Sequence, residues 1–122
     1  MAVYLVEDSP VLRQRITRAI EGTGALEVVG SAGRAHQAVD EIQALQPDIV
    51  VLDLQLEDGT GWDVLAGAGH VPRHIVILTN HGAEPFRQAA RERGCAYFFD
   101  KTTEFDGFLS TLQTLAPDVS AR

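Results

Sequence analysis

The chain has 122 residues, of which 45% are hydrophobic, and its formal net charge at pH 7 is −7. This length and apolar content predict one domain over residues 1–122, with a continuous core. The negative charge disfavours direct contact with a nucleic-acid backbone, and no apolar run approaches the roughly 20 residues that span a bilayer.

The cysteine content and the N-terminus indicate a cytoplasmic protein. Cys95 is the only cysteine, which excludes an internal disulfide, and no charged and then apolar leader precedes the first apolar run. We therefore expect a soluble protein in a reducing compartment, with no membrane partner. Cys95 itself is interpreted as a small buried hydrophobic residue.

An apolar run over residues 2–6 predicts the first strand, and the acidic pair Glu7-Asp8 follows it directly. Ser9-Pro10 is typical of an N-cap followed by proline at the first helical position. Apolar residues then recur at helical spacing until two glycines end the first helix.

A second strand and helix are predicted next. Residues 26–32 mix Glu27 and Gly30 among valines, which indicates a less buried strand at the edge of a sheet. The second helix ends before Pro47. Its apolar positions are Ala35, Ala38, Val39, Ile42 and Leu45.

The third strand carries the residue around which the chain is organised. Residues 49–52 are four consecutive aliphatic residues, a pattern typical of a parallel strand that is buried on both faces. Asp53 follows, and the Asp-Gly pair after it predicts a loop. Because ligands bind at the carboxyl ends of strands in open α/β sheets, Asp53 is a candidate functional residue.

A short helix is predicted over residues 61–68, with Trp62 packed beneath it and with Gly67 and Gly69 closing it. Residues 75–79 are a further buried strand, which ends in a threonine. Both segments continue the alternation of helix and strand.

Pro85 begins the fourth helix. A last strand over residues 96–99 leads to Asp100-Lys101, and residues 103–106 resemble a capping box. The final helix ends at Pro117. The fourth helix is predicted to turn Phe86, Ala89 and Ala90 inward and Arg87, Arg91 and Arg93 outward.

Five strands alternating with five helices predict a doubly wound parallel sheet with helices on both faces. We expect the strand order 2-1-3-4-5, which is the order known from flavodoxin-like folds and is not deduced from spacing alone. Its switch point lies between strands one and three. Glu7, Asp8 and Asp53 then meet in one crevice.

Three adjacent carboxylates repel each other, so their placement requires an explanation. Mg²⁺ (or Mn²⁺) prefers oxygen ligands and usually binds one or two carboxylates together with water and phosphate oxygens. Taken singly, Asp8 or Ser9 is equally well explained as a helix cap, and Asp53 as a turn residue. The combination of Glu7, Asp8 and Asp53 favours a cation site.

Thr79 and Lys101 occupy the matching ends of strands four and five. Taken singly, the first is an ordinary β-branched strand residue and the second a surface charge. Together with Asp53 and a divalent cation, a hydroxyl and an ammonium group are what a protein needs to accept a phosphoryl group and hold its oxygens.

In these residues the chain resembles a response-regulator receiver domain of two-component signalling, over essentially its whole length. The matching residues are the pair Glu7-Asp8, Asp53 in its Asp-Gly-rich loop, Thr79, and Lys101 after the aromatic strand. The resemblance implies that Asp53 is the phosphoacceptor and that Thr79 and Lys101 contact the phosphoryl oxygens.

The resemblance also implies further roles. Glu7, Asp8, Asp53 and the backbone carbonyl of Gln55 would surround Mg²⁺. Phe98 would be the aromatic residue that turns inward on activation; the alternative is a plain core aromatic.

Some residues depart from the pattern of the family. Thr102 follows the lysine where similar proteins often have a proline with a cis peptide bond, which disfavours a cis bond here and leaves the isomer open. Asn80 replaces the small residue that is usual after the switch threonine. By resemblance, Gln55, Asn80 and His81 lie at positions that modulate loss of the phosphoryl group.

Three alternatives stay open at this point. An aspartyl-nucleophile phosphatase of the haloacid-dehalogenase type would have a second Asp two residues after the nucleophile, where this chain has Gln55. A flavodoxin-like carrier would need a hydroxyl-rich loop after the first strand. A phosphate-independent receiver-like interaction module would normally lack one of the matched residues.

The sequence therefore predicts a phosphorylation-activated receiver that is not an enzyme, although it assists its own phosphorylation and dephosphorylation. The expected phosphodonor is a sensor histidine kinase or a histidine phosphotransfer protein, docked on the first helix. The output is expected through a downstream protein or a fused output domain, from the fourth helix, fifth strand and fifth helix. Homodimerisation on activation is a further expectation, and no direct contact with nucleic acid is expected. No output segment follows Pro117, which fits a stand-alone receiver or a fragment of a longer regulator.

Overall fold

The computed structural model of the protein describes residues 1–68, 73–80 and 84–116. The strands are β1 (Ala2–Val6), β2 (Glu27–Ala32), β3 (Ile49–Leu52), β4 (Gln55–Leu56), β5 (Gly59–Thr60), β6 (His74–Thr79) and β7 (Tyr97–Asp100). The helices are α1 (Pro10–Glu21), α2 (Ala35–Leu45), α3 (Gly61–Ala68), α4 (Glu84–Glu92) and α5 (Phe105–Leu115).

Five of the strands form one parallel sheet in the order β2-β1-β3-β6-β7. Apart from the small hairpin β4–β5, this is the predicted order 2-1-3-4-5. The central position of β3 explains its four buried residues, because neighbouring strands flank it and helices cover both of its faces. The prediction of a buried strand that ends at Asp53 is confirmed.

The core has two layers, one on each face of the sheet. One layer packs the buried side chains of α1 and α5, such as Ile16 and Phe108, against the sheet. The other packs α2, α3 and α4 through residues such as Ile42, Val64 and Ala90. No helix in the described segments is both long and apolar enough to cross a bilayer.

The start of α1 agrees with the sequence. The Ser9 hydroxyl accepts a hydrogen bond from the backbone N–H of Leu12 at 3.3 Å, and Pro10 occupies the first helical position. This cap fixes the direction in which the chain leaves the acidic pair.

The loop predicted after Asp53 is instead partly ordered as an antiparallel hairpin. Gln55 pairs with Thr60 and Leu56 with Gly59. Leu56 is buried while Gln55 is exposed, so the short alternation anchors the hairpin to the core. No apolar run in this segment is long enough to indicate these two-residue strands.

Predictions about the side chain of Phe86, the end of α3 and the start of α5 are wrong. Phe86 is 40% exposed, because α4 covers the edge of the sheet beside β7 and buries only Ala90. Gly67 lies inside α3, where a Cβ would meet Val39 of α2 at 2.9 Å.

The last of these concerns the start of α5. The N-cap is Glu104 and makes no side-chain cap. The Asp100 carboxylate instead accepts hydrogen bonds from the N–H groups of Thr102 and Thr103. An Asx turn thus replaces the predicted capping box.

Some predictions fall outside the described residues: those on Gly69, His81 and Pro117. Cys95 is buried as predicted, and burial raises the pKa of its thiol.

Candidate functional site

Asp53 lies at the carboxyl end of β3 and is only 5% exposed. Its backbone N–H donates to the carbonyl oxygen of Val6 at 3.0 Å, which continues the pairing of β3 with β1. Gly61 packs against it from behind, where a Cβ would lie 2.5 Å from the Asp53 carbonyl oxygen. The backbone of Asp53 is therefore held on two sides.

Both carboxylate oxygens of Asp53 have partners from other strands. Oδ1 accepts a hydrogen bond from the Thr79 hydroxyl at 2.8 Å, and Oδ2 accepts one from Lys101 Nζ at 2.6 Å. Thr79 and Lys101 are joined to each other through the Lys101 N–H and the Thr79 carbonyl, at 3.0 Å. The structure thus brings together the three residues that the sequence placed at separate strand ends.

Lys101 also contacts Glu7, which is 1% exposed. The other Glu7 oxygen, Oε2, accepts the backbone N–H of Ser9 at 2.9 Å. Burial would lower the pKa of Lys101, but its hydrogen bonds to Asp53 and Glu7 outweigh that effect and raise the pKa above its usual value. Lys101 is the internal counter-charge of the two buried carboxylates.

The acidic cluster consists of Glu7, Asp8 and Asp53, whose ligand oxygens lie within 4.8 Å of one another. Asp8 is exposed, whereas Glu7 and Asp53 are buried. Burial is the main cause that raises the pKa of Glu7; a hydrogen bond with Asp8 adds to it, and Lys101 opposes it. Three carboxylates with one side open to solvent match the donor preference of a hard divalent cation.

Gln55 begins the β4–β5 hairpin two residues after Asp53. Its backbone N–H lies 3.4 Å from Asp53 Oδ1, and its side chain is exposed. Its carbonyl as a metal ligand stays a prediction. Asn80 is exposed directly after Thr79. The described residues contain no cis peptide bond, so the Lys101–Thr102 bond, whose isomer the sequence left open, is trans.

Phe98 lies in β7 and is partly buried against the core. The guanidinium of Arg87 lies 4.9 Å from the centre of its ring and also forms an ion pair with Glu104. The prediction that Arg87 points outward is therefore wrong, since its side chain is only 26% exposed. This contact joins α4, β7 and the start of α5.

Sequence reasoning missed Asp58, which caps α2 from the hairpin. Its carboxylate accepts the backbone N–H groups of Ala35 at 2.6 Å and His36 at 3.2 Å. These hydrogen bonds, led by the one from Ala35, lower the pKa of Asp58. The signal was the absence of a capping residue at Arg34, just before α2.

The amino-acid composition also singles out Lys101. Lys101 is the only lysine among the ten basic residues, the other nine being arginine. Arginine holds carboxylates by a planar fork, whereas an ammonium is a compact point charge that fits between two of them. A single lysine in a chain that otherwise uses arginine therefore points to a position that needs the smaller cation.

A family model described as "Response regulator receiver domain" matches residues 3–113. Among curated proteins, a protein-glutamate methylesterase/protein-glutamine glutaminase 2 from Vibrio vulnificus is 35% identical over 105 residues, which is 83% of this chain and 30% of that protein. The chain spans between 27% and 33% of the length of this and two further curated relatives of the same description.

Solved structures agree with the family model. A LuxR-family two-component response regulator from Aurantimonas sp. is 26% identical with a TM-score of 0.82, covering 98% of this chain and 92% of that one. The BeF3-activated N-terminal receiver domain of Klebsiella pneumoniae RstA is 27% identical with a TM-score of 0.81, covering 93% and 97% of the two chains.

Proposed function

The chain belongs to the family of response regulator receiver domains, and on that premise we propose that Asp53 is the residue that accepts the phosphoryl group. The observation that carries the proposal is the convergence of Thr79 and Lys101 on the two carboxylate oxygens of Asp53. An aspartate that only formed a turn would not need a buried hydroxyl and a largely buried ammonium group on its two oxygens.

The reaction is transfer from phosphohistidine. An oxygen of Asp53 attacks the phosphorus atom, the O–P bond forms, and the N–P bond breaks with its electron pair passing to the imidazole of the donor. The product is an acyl phosphate. Thr79 and Lys101, which already bind the carboxylate, then donate hydrogen bonds to the phosphoryl oxygens.

Glu7, Asp8 and Asp53, with the carbonyl of Gln55, would hold Mg²⁺ (or Mn²⁺). When bound, the cation neutralises negative charge on the carboxylates and on the phosphoryl oxygens. In the absence of the cation, Lys101 offsets part of the same charge, because its ammonium group contacts both buried carboxylates.

Activation follows from the displacement of the hydroxyl. Once Thr79 leaves Asp53 Oδ1 for a phosphoryl oxygen, the end of β6 moves and opens space beside Phe98. Phe98 turns into that space, and the Arg87 guanidinium loses the ring that it covers. The surface formed by α4, β7 and α5 is then the output surface. Gln55, Asn80 and His81 would modulate loss of the phosphoryl group by controlling access of water.

The proposed partners are a sensor histidine kinase or a histidine phosphotransfer protein as donor. A downstream protein or a fused output domain would receive the signal, and homodimerisation on activation is one way to transmit it. The chain itself would catalyse only its own phosphorylation and dephosphorylation, in the cytoplasm.

The test is incubation with MgCl₂ and acetyl phosphate, followed by intact mass. We expect one phosphoryl adduct that EDTA and Asp53→Asn abolish, and that Asp58→Asn, a nearby carboxylate outside the cluster, retains. An adduct on the Asp53→Asn protein would overturn the assignment. So would an unmodified wild-type protein whose Thr79 and Phe98 NMR signals do not respond to beryllofluoride.

A further inference from the structure

Arg13 reaches back from α1 to the loop that carries the acidic pair. Its Nη1 donates a hydrogen bond to the backbone carbonyl oxygen of Glu7 at 2.9 Å. The structure shows this side chain half-buried. A hydrogen bond from a charged donor is stronger than one between neutral groups, so the peptide between Glu7 and Asp8 is held from α1.

The space for the guanidinium exists because residue 33 is glycine. A Cβ at Gly33 would overlap Nη1 of Arg13 and would lie 3.3 Å from the Cα of Asp8. The residue before it, Ala32, accepts the backbone N–H of Glu7 at 2.9 Å. The turn between β2 and α2 therefore packs directly on the acidic loop and on the arginine that holds it.

Asp8 takes its position from this backbone. The peptide before it is held by Arg13, and the peptide after it is held by the hydrogen bond from Ser9 N–H to Glu7 Oε2. Glu7 and Asp53 are buried and hydrogen-bonded to Lys101, whereas Asp8 is exposed. Of the three carboxylates, that of Asp8 depends most on the loop.

We infer that Arg13 is a positioning residue for the divalent cation: it holds the Glu7–Asp8 peptide so that the Asp8 carboxylate stays beside those of Glu7 and Asp53. The inference rests on the proposed function, because it concerns the same acidic cluster. Residues that orient metal ligands from behind typically change metal affinity by about 10- to 100-fold when they are removed.

Removal of Arg13 should change the affinity for Mg²⁺ in the direction opposite to that expected from charge alone. Loss of a positive charge near a cation site tightens Mg²⁺ binding if charge is the only effect, because a repulsion disappears. Loss of a positioning hydrogen bond weakens Mg²⁺ binding. The direction of the change in affinity therefore separates the two roles of Arg13.

The experiment is a titration of the metal-free protein with MgCl₂ alone, followed by calorimetry and by backbone amide NMR signals. We expect Arg13→Met to raise the Kd for Mg²⁺ about tenfold or more and to shift the amide signals of Asp8 and Ser9. The matched control is Arg18→Met, which removes the same charge from an exposed position on the same helix. It should bind Mg²⁺ as tightly as wild type, or slightly more tightly.

A second variant displaces the guanidinium and leaves its charge in place. In Gly33→Ala the new methyl group occupies the space of Nη1, so Mg²⁺ binding should also weaken. If both substitutions act through the same hydrogen bond, adding Gly33→Ala to Arg13→Met should weaken binding little further. Amide NMR dispersion checks the fold, and Gly33→Ala alone carries the test if Arg13→Met does not fold.

Two outcomes refute the inference while the proposed function stands: Arg13→Met binding Mg²⁺ as tightly as wild type or more so, or fully additive effects of the two substitutions. In both, the wild-type protein still binds Mg²⁺ and is phosphorylated. A wild-type protein that binds no Mg²⁺ overturns the inference together with the proposed cation site.

Discussion

Replacing Lys101 by methionine tests whether one ammonium group compensates two buried carboxylates. Methionine keeps much of the length and apolar character of the side chain and removes its charge. Glu7 and Asp53 would keep their other hydrogen bonds, from Ser9 and Thr79 respectively. They would lose the only cation that the described structure places against them.

The magnitude follows from burial. Breaking a buried ion pair by removing one partner typically costs about 3 to 5 kcal/mol. Asp8 opens the cluster to solvent on one side, and Glu7 can take up a proton because burial already raises its pKa. We therefore expect the lower end, about 3 kcal/mol at pH 7 in EDTA, which lowers the urea midpoint by roughly 1 to 3 M.

The assay is urea unfolding followed by the fluorescence of Trp62, the only tryptophan, with and without Mg²⁺. Because a divalent cation that binds only the folded state stabilises it by mass action, Mg²⁺ should stabilise Lys101→Met more than it stabilises wild type. Adding Asp53→Asn to Lys101→Met should restore part of the loss, since one of the uncompensated charges disappears.

The surface control is Arg91→Met, which removes an equal charge from an exposed pair with Glu84. It should cost at most about 1 kcal/mol. A loss below 1 kcal/mol for Lys101→Met, or a response to Mg²⁺ no larger than that of wild type, would refute the reasoning that Lys101 and the divalent cation neutralise the same carboxylates.

Three further predictions concern the support of the site. Gly61→Ala should lower the free energy of unfolding by about 1 to 3 kcal/mol, because the methyl group would press on the carbonyl oxygen of Asp53; it should also slow phosphorylation if Asp53 is the proposed phosphoacceptor. Gly107→Ala, whose Cβ would meet Phe99 at an ordinary 3.5 Å, should instead stabilise by up to about 1 kcal/mol. Urea unfolding that gave both substitutions the same sign would contradict the packing. Asp58 has a lowered pKa, so its contribution to stability is present above its pKa in the unfolded chain and is lost as pH falls through its pKa in the folded protein. Asp58→Asn should therefore flatten the acid side of a plot of urea midpoint against pH. An unchanged slope would rule out that the Asp58 carboxylate caps α2. Arg87→Met should destabilise by about 1 to 2 kcal/mol and broaden or shift the Phe98 ring signals in NMR, whereas unchanged signals would show that the guanidinium does not restrain that ring.

The strands and helices could be predicted because the sequence patterns that indicate them lie within the elements themselves or directly beside them. Residues 49–52 are continuously apolar, and this alone indicates a strand buried on both faces. Ser9-Pro10 marks the start of α1 in the sequence and in the structure. The same local patterns failed for Phe86, since burial at the edge of the sheet depends on how much apolar surface lies beneath the helix and not on helical spacing.

The residues that form the site could also be predicted, because parallel strands place their carboxyl ends at one edge of a sheet. Glu7, Asp8, Asp53, Thr79 and Lys101 each follow or end such a strand. Their order along the chain and the strand order were enough to bring them into one crevice.

The sequence by itself therefore determined the five strands of the parallel sheet and the residues at their carboxyl ends, and the strand order known from flavodoxin-like folds was enough to bring those residues together at Asp53. Only the tertiary structure decided how those residues are paired: Lys101 between two carboxylates that lie 94 and 48 residues away along the chain, Asp58 on the start of α2, and Arg13 on the Glu7 carbonyl through the gap left by Gly33. The physical reason is that apolar periodicity is set by neighbours in sequence. A hydrogen bond between distant side chains depends instead on loop geometry within a few tenths of an ångström, which no local pattern encodes.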